Sequence, residues 1–212
     1  MQISLSDTGK RFNRDWIFRK LSYEFISGEA YAITGPNGSG KSTLLQVIAG
    51  AVASSEGDIV FKVGDKTVVA DNFFKYISIA TPFQELIEEM TLLEFLRFHK
   101  KFKPFLSSIT VEDIISIIAL EKSAHKQIRY YSSGMKQRVK LAQAVFSDTP
   151  CILFDEPCTN LDEKGIELYH SLIGRYCPGR LVIVSSNDRQ EYSFCKEIIN
   201  MQDFKLSLAG DQ

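Results

Sequence analysis

Apolar and polar side chains alternate through the first 26 residues: Ile3 and Leu5, then Trp16 and Phe18, then Leu21, Tyr23 and Phe25, with Gly9 and Asn13 placed to turn the chain. A period of two marks strands with one covered face, so this stretch predicts an antiparallel β-layer. Tyr31-Ala32-Ile33-Thr34 then reads as a short buried strand, and Lys41 to Ala49 as a helix closed by Gly50. A hairpin follows, Gly57 to Val63 and Thr67 to Val69 around Gly64-Asp65, and then a strand at Tyr76 to Ile79. From Pro82 to about Tyr131 the spacing becomes helical: Thr91 and Glu94 form a capping box opening a helix toward His99, and Thr110 opens another running through Ile117 and Leu120. The helical period resumes after Ser132-Ser133-Gly134 and runs to Phe146.

Strand and helix alternate in the remainder. Cys151 to Phe154 and Leu181 to Val184 are continuous apolar runs, separated by a helix from Asp162 to Tyr176; a short helix from Glu191 to Cys195 precedes a final hairpin of Glu197 to Met201 and Phe204 to Leu208. Strands that are apolar on both faces belong to a covered, mostly parallel sheet. The expected fold is therefore α/β: a mostly parallel sheet core, an antiparallel β-layer and an inserted helical subdomain. One domain covers residues 1–212, with the core at about 1–81 and 132–212 and the helical part at about 82–131.

Composition narrows what such a domain meets. The chain has 212 residues, 44% of them hydrophobic, enough to bury one sizeable core. A formal net charge of −1 gives no electrostatic footprint for nucleic acid or an anionic membrane surface, so direct nucleic acid binding is not expected. The longest nearly apolar run, Ile114 to Leu120, is too short to span a bilayer, and the first seven residues lack the basic and apolar parts of an export signal. A cytosolic protein is expected, reaching a membrane only through a partner. Cys151, Cys158, Cys177 and Cys195 show no C-x-x-C spacing and read as structural thiols.

The chemistry concentrates at Gly35-Pro36-Asn37-Gly38-Ser39-Gly40-Lys41-Ser42-Thr43, which satisfies G-x-x-x-x-G-K-[ST] between a strand and a helix. The glycines let backbone N–H groups converge and the helix N-terminus adds its positive end, making an anion cradle. In it Lys41 would reach the β- and γ-phosphates of a nucleotide, and Ser42 would hold Mg²⁺. The apolar strand ending in Asp155-Glu156 would set two acids at the carboxyl edge of the sheet, where ligands sit. Asp155 would hold the magnesium, and Glu156 would polarise the water that attacks the γ-phosphate. Phe12, in Lys10-Arg11-Phe12, stands either under an adenine ring or packed on its own sheet.

With both motifs in this order, the chain resembles the ATP-binding cassette (ABC) ATPases, P-loop NTPases that are the motor subunits of ABC transporters. Walker A is Gly35 to Thr43 and Walker B is Cys151 to Glu156. The family's L-S-G-G-Q signature is similar to Tyr131-Ser132-Ser133-Gly134-Met135, and its D-loop to Asn160-Leu161-Asp162. The resemblance implies ATP and Mg²⁺ as ligands and head-to-tail closure on a second cassette, as homodimer or heterodimer. Ser132, Ser133 and Gly134, with Asp162, would then complete the other subunit's site. It also implies an integral membrane transporter subunit as partner, with the cassette at the inner face of the membrane; the compact form leans toward small exporters. A regulatory subunit with little hydrolysis and a soluble cassette without a membrane partner are the alternatives.

Two positions depart from the family pattern. Pro82 falls where the Q-loop glutamine is usual, and Gln84 lies two residues late, either reaching the magnesium site through a bulge or opening the next helix. After the Leu181 to Val184 strand, Asn187 replaces the usual histidine. An asparagine amide donates a hydrogen bond to phosphate but carries no charge. Asn187 is thus either a γ-phosphate contact or, with Asp188, a cap for the next helix, with Glu191 as reciprocal acid.

Overall fold

The computed structural model describes residues 1–205. The amphipathic opening stretch forms β1 (Gln2–Phe12) and β2 (Asp15–Ile26), which with β4 (Glu56–Val63) and β5 (Lys66–Val68) make an antiparallel sheet in the order β2-β1-β4-β5. Gly9 does not turn the chain. It lies inside β1 opposite Glu56, where the register shifts, and the turn falls instead between Phe12 and Asp15.

The second sheet is wholly parallel, in the order β6-β7-β8-β3-β9, from β3 (Ala30–Thr34), β6 (Ile77–Ala80), β7 (Cys151–Asp155), β8 (Leu181–Ser185) and β9 (Glu197–Asn200). Glu197 to Met201 is therefore no hairpin arm. It pairs in parallel with β3, Tyr31 opposite Glu197, and residues 201–204 close a 3₁₀ turn; Leu206 to Leu208 of the expected second arm lie outside the described residues.

Successive side chains on a strand point to opposite faces, and β7 and β8 divide accordingly. Cys151, Leu153, Leu181 and Ile183 join the core beneath the antiparallel sheet and α1 (Lys41–Ile48). Ile152, Phe154, Val182 and Val184 join the core under α4 (Ser133–Phe146) and α5 (Glu163–Tyr176). The four cysteines are free; burial pushes their thiols up to about 12, so they act as small apolar groups.

Between β6 and α4 the chain is helical, with α2 (Leu92–Phe102) and α3 (Val111–Ile117), each opened by a complete capping box, Thr91 with Glu94 and Thr110 with Asp113. Polar groups tie this segment to α4. His99 Nδ1 accepts from Gln143 at 3.1 Å and its Nε2 meets the Ser147 hydroxyl at 2.9 Å; burial, with Lys103 nearby, lowers the ring to about 4, so it stays neutral. The last helix, α6 (Arg189–Tyr192), starts two residues before the expected Glu191.

Candidate nucleotide site

β3 lies inside the parallel sheet and delivers the glycine-rich turn at its carboxyl edge. Gly40 makes the entry into α1 possible. Its φ is 99°, and a Cβ there would stand 2.4 Å from Cγ2 of Ile17 on β2, so a side chain would strain the backbone and displace Ile17. Pro36, Asn37 and Gly38 are exposed, while Ser39 is buried and Ser42 and Thr43 are half-buried. Lys41, only 6% exposed, folds across its own loop, with Nζ donating to the carbonyls of Gly35 at 2.8 Å and Pro36 at 3.4 Å.

Ser39 Oγ is buried without a hydrogen-bond partner. Buried polar atoms are rarely left so, and an orphan beside a lysine and a turn of amides fits an anionic guest. The donor set for a cation also fits magnesium. Ser42 and Asp155 offer oxygen only, and Mg²⁺ bound with phosphates takes one or two protein oxygens rather than a protein cage.

The two acids differ sharply in setting. Asp155 ends β7 opposite Ser185 of β8, is 4% exposed, and accepts the Ser185 hydroxyl at 2.7 Å on Oδ1. Glu156 is exposed and left-handed, with φ 44°. Such a backbone in a non-glycine residue costs about 1–3 kcal/mol and persists only where its surroundings impose it. They do so here. Glu156 N–H donates to Ser185 O at 2.9 Å, Gln137 of α4 donates to Pro157 O at 2.7 Å, and Cys158 N–H donates to the Glu191 carboxylate at 2.6 Å.

Asn187 reaches the phosphate loop. Its Oδ1 accepts Gly35 N–H at 3.2 Å and its Nδ2 donates to Asn37 Oδ1 at 3.2 Å. Capping of α6 falls to Asp188, which accepts from Gln190 N–H, and Glu191 is not the reciprocal acid because its carboxylate turns inward to Cys158. A cleft of about 380 Å³ brings together Asn37, Glu156, Ser186, Asn187 and Glu191.

Apart from the phosphate loop and Asp155, six expected residues lie outside this cleft, four of them, Ser132, Ser133, Gly134 and Asp162, as expected of groups that would complete another subunit's site. Phe12 ends β1, 48% exposed, with the Lys10 ammonium 4.9 Å from its ring centroid, so it is not packed under its own sheet. Gln84 gives its amide to Gln143 at 3.1 Å and lines a groove with Pro82, Phe83, Lys136 and Lys140; its described partner is on α4 rather than Ser42 or Asp155. Ser132 caps α4 by accepting Met135 N–H at 3.2 Å, and with Ser133, Gly134 and Asp162 it lines a separate groove of about 460 Å³. Gly134 is needed there, since a Cβ would meet the Asn160 carbonyl at 2.9 Å. Asp162 caps α5 and pairs with Arg138 at 3.4 Å; the Gly165 N–H holds its carboxyl below the usual range.

Sequence reasoning missed Ser185, Gln137 and the true role of Glu191. For Ser185 a signal existed, a polar residue at the edge of a buried strand beside a second buried strand ending in acids. Trp16, which the alternation places only in a strand, has its ring centroid 5.5 and 4.2 Å from the guanidinium carbons of Arg11 and Arg19.

A family model for ABC transporters matches residues 18–159 of the chain. Among curated proteins, the ABC transporter ATP-binding protein YybJ of Bacillus subtilis is 29% identical over 206 residues, covering 96% of this chain and 94% of that protein. The cytochrome c biogenesis ATP-binding export protein CcmA of Rhizobium etli is 30% identical over 192 residues, 88% of each. Among solved structures, the dimeric post-hydrolysis state of the ATP-binding cassette MJ0796 bound to ADP and Pi superposes with a TM-score of 0.78 at 25% identity, covering 93% of both chains. The motifs, the paired sheets and these likenesses agree: the chain belongs to the ATP-binding cassettes of the ABC transporter family.

Proposed function

We propose that this chain is the ATP-hydrolysing subunit of an ABC transporter, closing head to tail on a second cassette around ATP and Mg²⁺ to drive a separate integral membrane subunit, in the direction of export. The observation that carries the reading is the division of the site into two grooves. Asn37, Glu156 and Asn187 share one, while Ser132, Gly134 and Asp162 share another. Each chain thus holds two halves that a second chain, identical or not, would complement. The likeness to a dimeric cassette and to an export protein supports assembly and direction.

When bound, Mg²⁺ neutralises developing phosphate charge. The chain does the rest. Lys41 and the loop amides orient the phosphates, Ser42 and Asp155 supply the cation's oxygen ligands, and Glu156 takes a proton from the attacking water. Asn187 fixes the loop and offers its amide to the γ-phosphate, while Phe12 offers an exposed ring to the base. Residues 82–131 act as the lobe that meets the membrane subunit. The 87% exposure of Phe83, beside the groove holding Gln84, supports that role. Among the described residues no helix is long and apolar enough to cross a membrane, so a separate spanning subunit suits the reading.

Affinity purification of the tagged chain from native membranes tests this. An integral membrane protein should co-purify in stoichiometric amount. Recovery of active ATPase from the soluble fraction alone, without such a partner, would favour the soluble cassette.

Asn187 favours a second reading, a subunit that binds ATP and hydrolyses little, because both ends of its amide are engaged by the phosphate loop. Turnover separates the two. Asn187→Ala should lower the hydrolysis rate about tenfold, the equivalent of roughly 1.4 kcal/mol in the barrier. Equal rates in wild type and variant would leave Asn187 as a brace for the loop only.

A further inference from the structure

We infer that Glu191 is a positioning residue for hydrolysis: its buried carboxylate staples the turn after Walker B to the segment carrying Asn187 and so sets Glu156 over the cleft. This inference rests on Glu156 being the base.

A carboxylate on a short surface helix ordinarily faces water. Glu191 is 4% exposed, although its neighbours Arg189 and Gln190 are exposed. Its Oε1 accepts Cys158 N–H at 2.6 Å, while the Ser186 hydroxyl, at the entry to α6, accepts Asp188 N–H at 2.9 Å. Its own backbone carbonyl accepts the Tyr169 hydroxyl at 2.8 Å, which anchors α6 to α5. Burial raises its carboxyl above the ordinary range, and the charges of Asp188 and Glu156 push in the same direction. A buried acid is retained in such a place only where its hydrogen bonds compensate its desolvation.

Those bonds fall where the backbone most needs support. Residues 156–160 form a tight turn with two left-handed non-glycine residues, Glu156 at φ 44° and Asn160 at φ 65°. Thr159 N–H closes on Glu156 O at 3.2 Å and Leu161 N–H on Cys158 O at 2.9 Å. Cys158 N–H points out of this turn toward α6, and Glu191 is its acceptor. Because Glu191 sits on α6, whose entry beside Asn187 is held by Ser186 accepting Asp188 N–H, its bond to Cys158 N–H links the acid and the amide on the two walls of the cleft. Loss of such a supporting partner typically reduces activity about 10- to 100-fold without removing a group that touches the substrate.

The test compares Glu191→Ala, Glu191→Gln and Ser186→Ala with wild type and Glu156→Gln, measuring kcat and KM for Mg-ATP. Amide hydrogen exchange is followed in parallel over residues 155–161. Glu191→Ala should lower kcat at least about tenfold with KM little changed, and should speed exchange at Cys158. Glu191→Gln keeps an acceptor oxygen of the same reach and should restore most of kcat; Ser186→Ala should show a smaller loss of the same kind. Wild-type kcat in a folded Glu191→Ala protein overturns the inference, and so does a Glu191→Gln loss as large as that of alanine. If Glu156→Gln hydrolyses like wild type, the assignment of the base fails instead. Exchange at Cys158 then still decides whether the staple exists, and unchanged exchange in Glu191→Ala rejects it.

Discussion

Replacing Glu156 by glutamine should reduce ATP hydrolysis by about 10²–10⁴-fold, the range that a positioned general base contributes, while ATP binding persists. The substitution is conservative everywhere except in chemistry. Glu156 is exposed, so the turn's support comes from backbone bonds to Ser185 and from Glu191 and Gln137, and a glutamine leaves all of these in place. Only the ability to accept a proton disappears. A nucleotide held without being hydrolysed should keep two cassettes together, so size-exclusion chromatography with Mg-ATP should show a dimer for the variant. Wild-type phosphate release would move the base elsewhere. A variant that stays monomeric with ATP at high concentration would count against closure between complementary grooves.

Lys41→Ala should weaken ATP binding about 10- to 100-fold, as expected for a hydrogen bond to a charged group worth roughly 1.5–3 kcal/mol. The lysine is buried to 6% exposure and sits at the first residue of α1, within reach of Gly35 and Pro36. Its ammonium spans the loop, so a phosphate bound there would take over a donor already aimed into the cradle. Alanine is a good helix former and should leave α1 intact, which circular dichroism can verify before calorimetry. An ATP affinity equal to wild type in a folded variant contradicts the cradle.

What could be read in the sequence follows the range of the interactions involved. The phosphate loop, the acids after a buried strand, and the Thr91 and Ser132 caps are set by residues a few positions apart, and each stands where expected. The β9 segment departs from the expected hairpin because a short apolar run has the same local pattern whether it folds back or joins a parallel sheet beside β3. Gln84 depended on Gln143, and Glu191 on Cys158, pairs separated in the chain with no shared period to betray them. Glu191 was especially opaque, since an acid three residues after Asp188 imitates a capping box. Its inward turn depends on a buried N–H that no local pattern displays.

The position of β3 has a consequence for how the protein comes into being. Its neighbours in the sheet are β8 and β9, at residues 181–185 and 197–200, so the strand that carries the phosphate loop has no pairing partner when it leaves the ribosome. At about 5–20 residues per second, about seven to thirty seconds pass before those strands are made. Through that interval Tyr31, Ala32 and Ile33, all buried in the finished sheet, remain unpaired and available to wrong partners. The antiparallel sheet is different, because β1, β2 and β4 are all synthesised early and close on one another. Birth of the nucleotide cradle therefore waits for β8 and β9, and a translation product that stops before residue 181 would carry an intact glycine-rich motif yet be unable to seat a nucleotide.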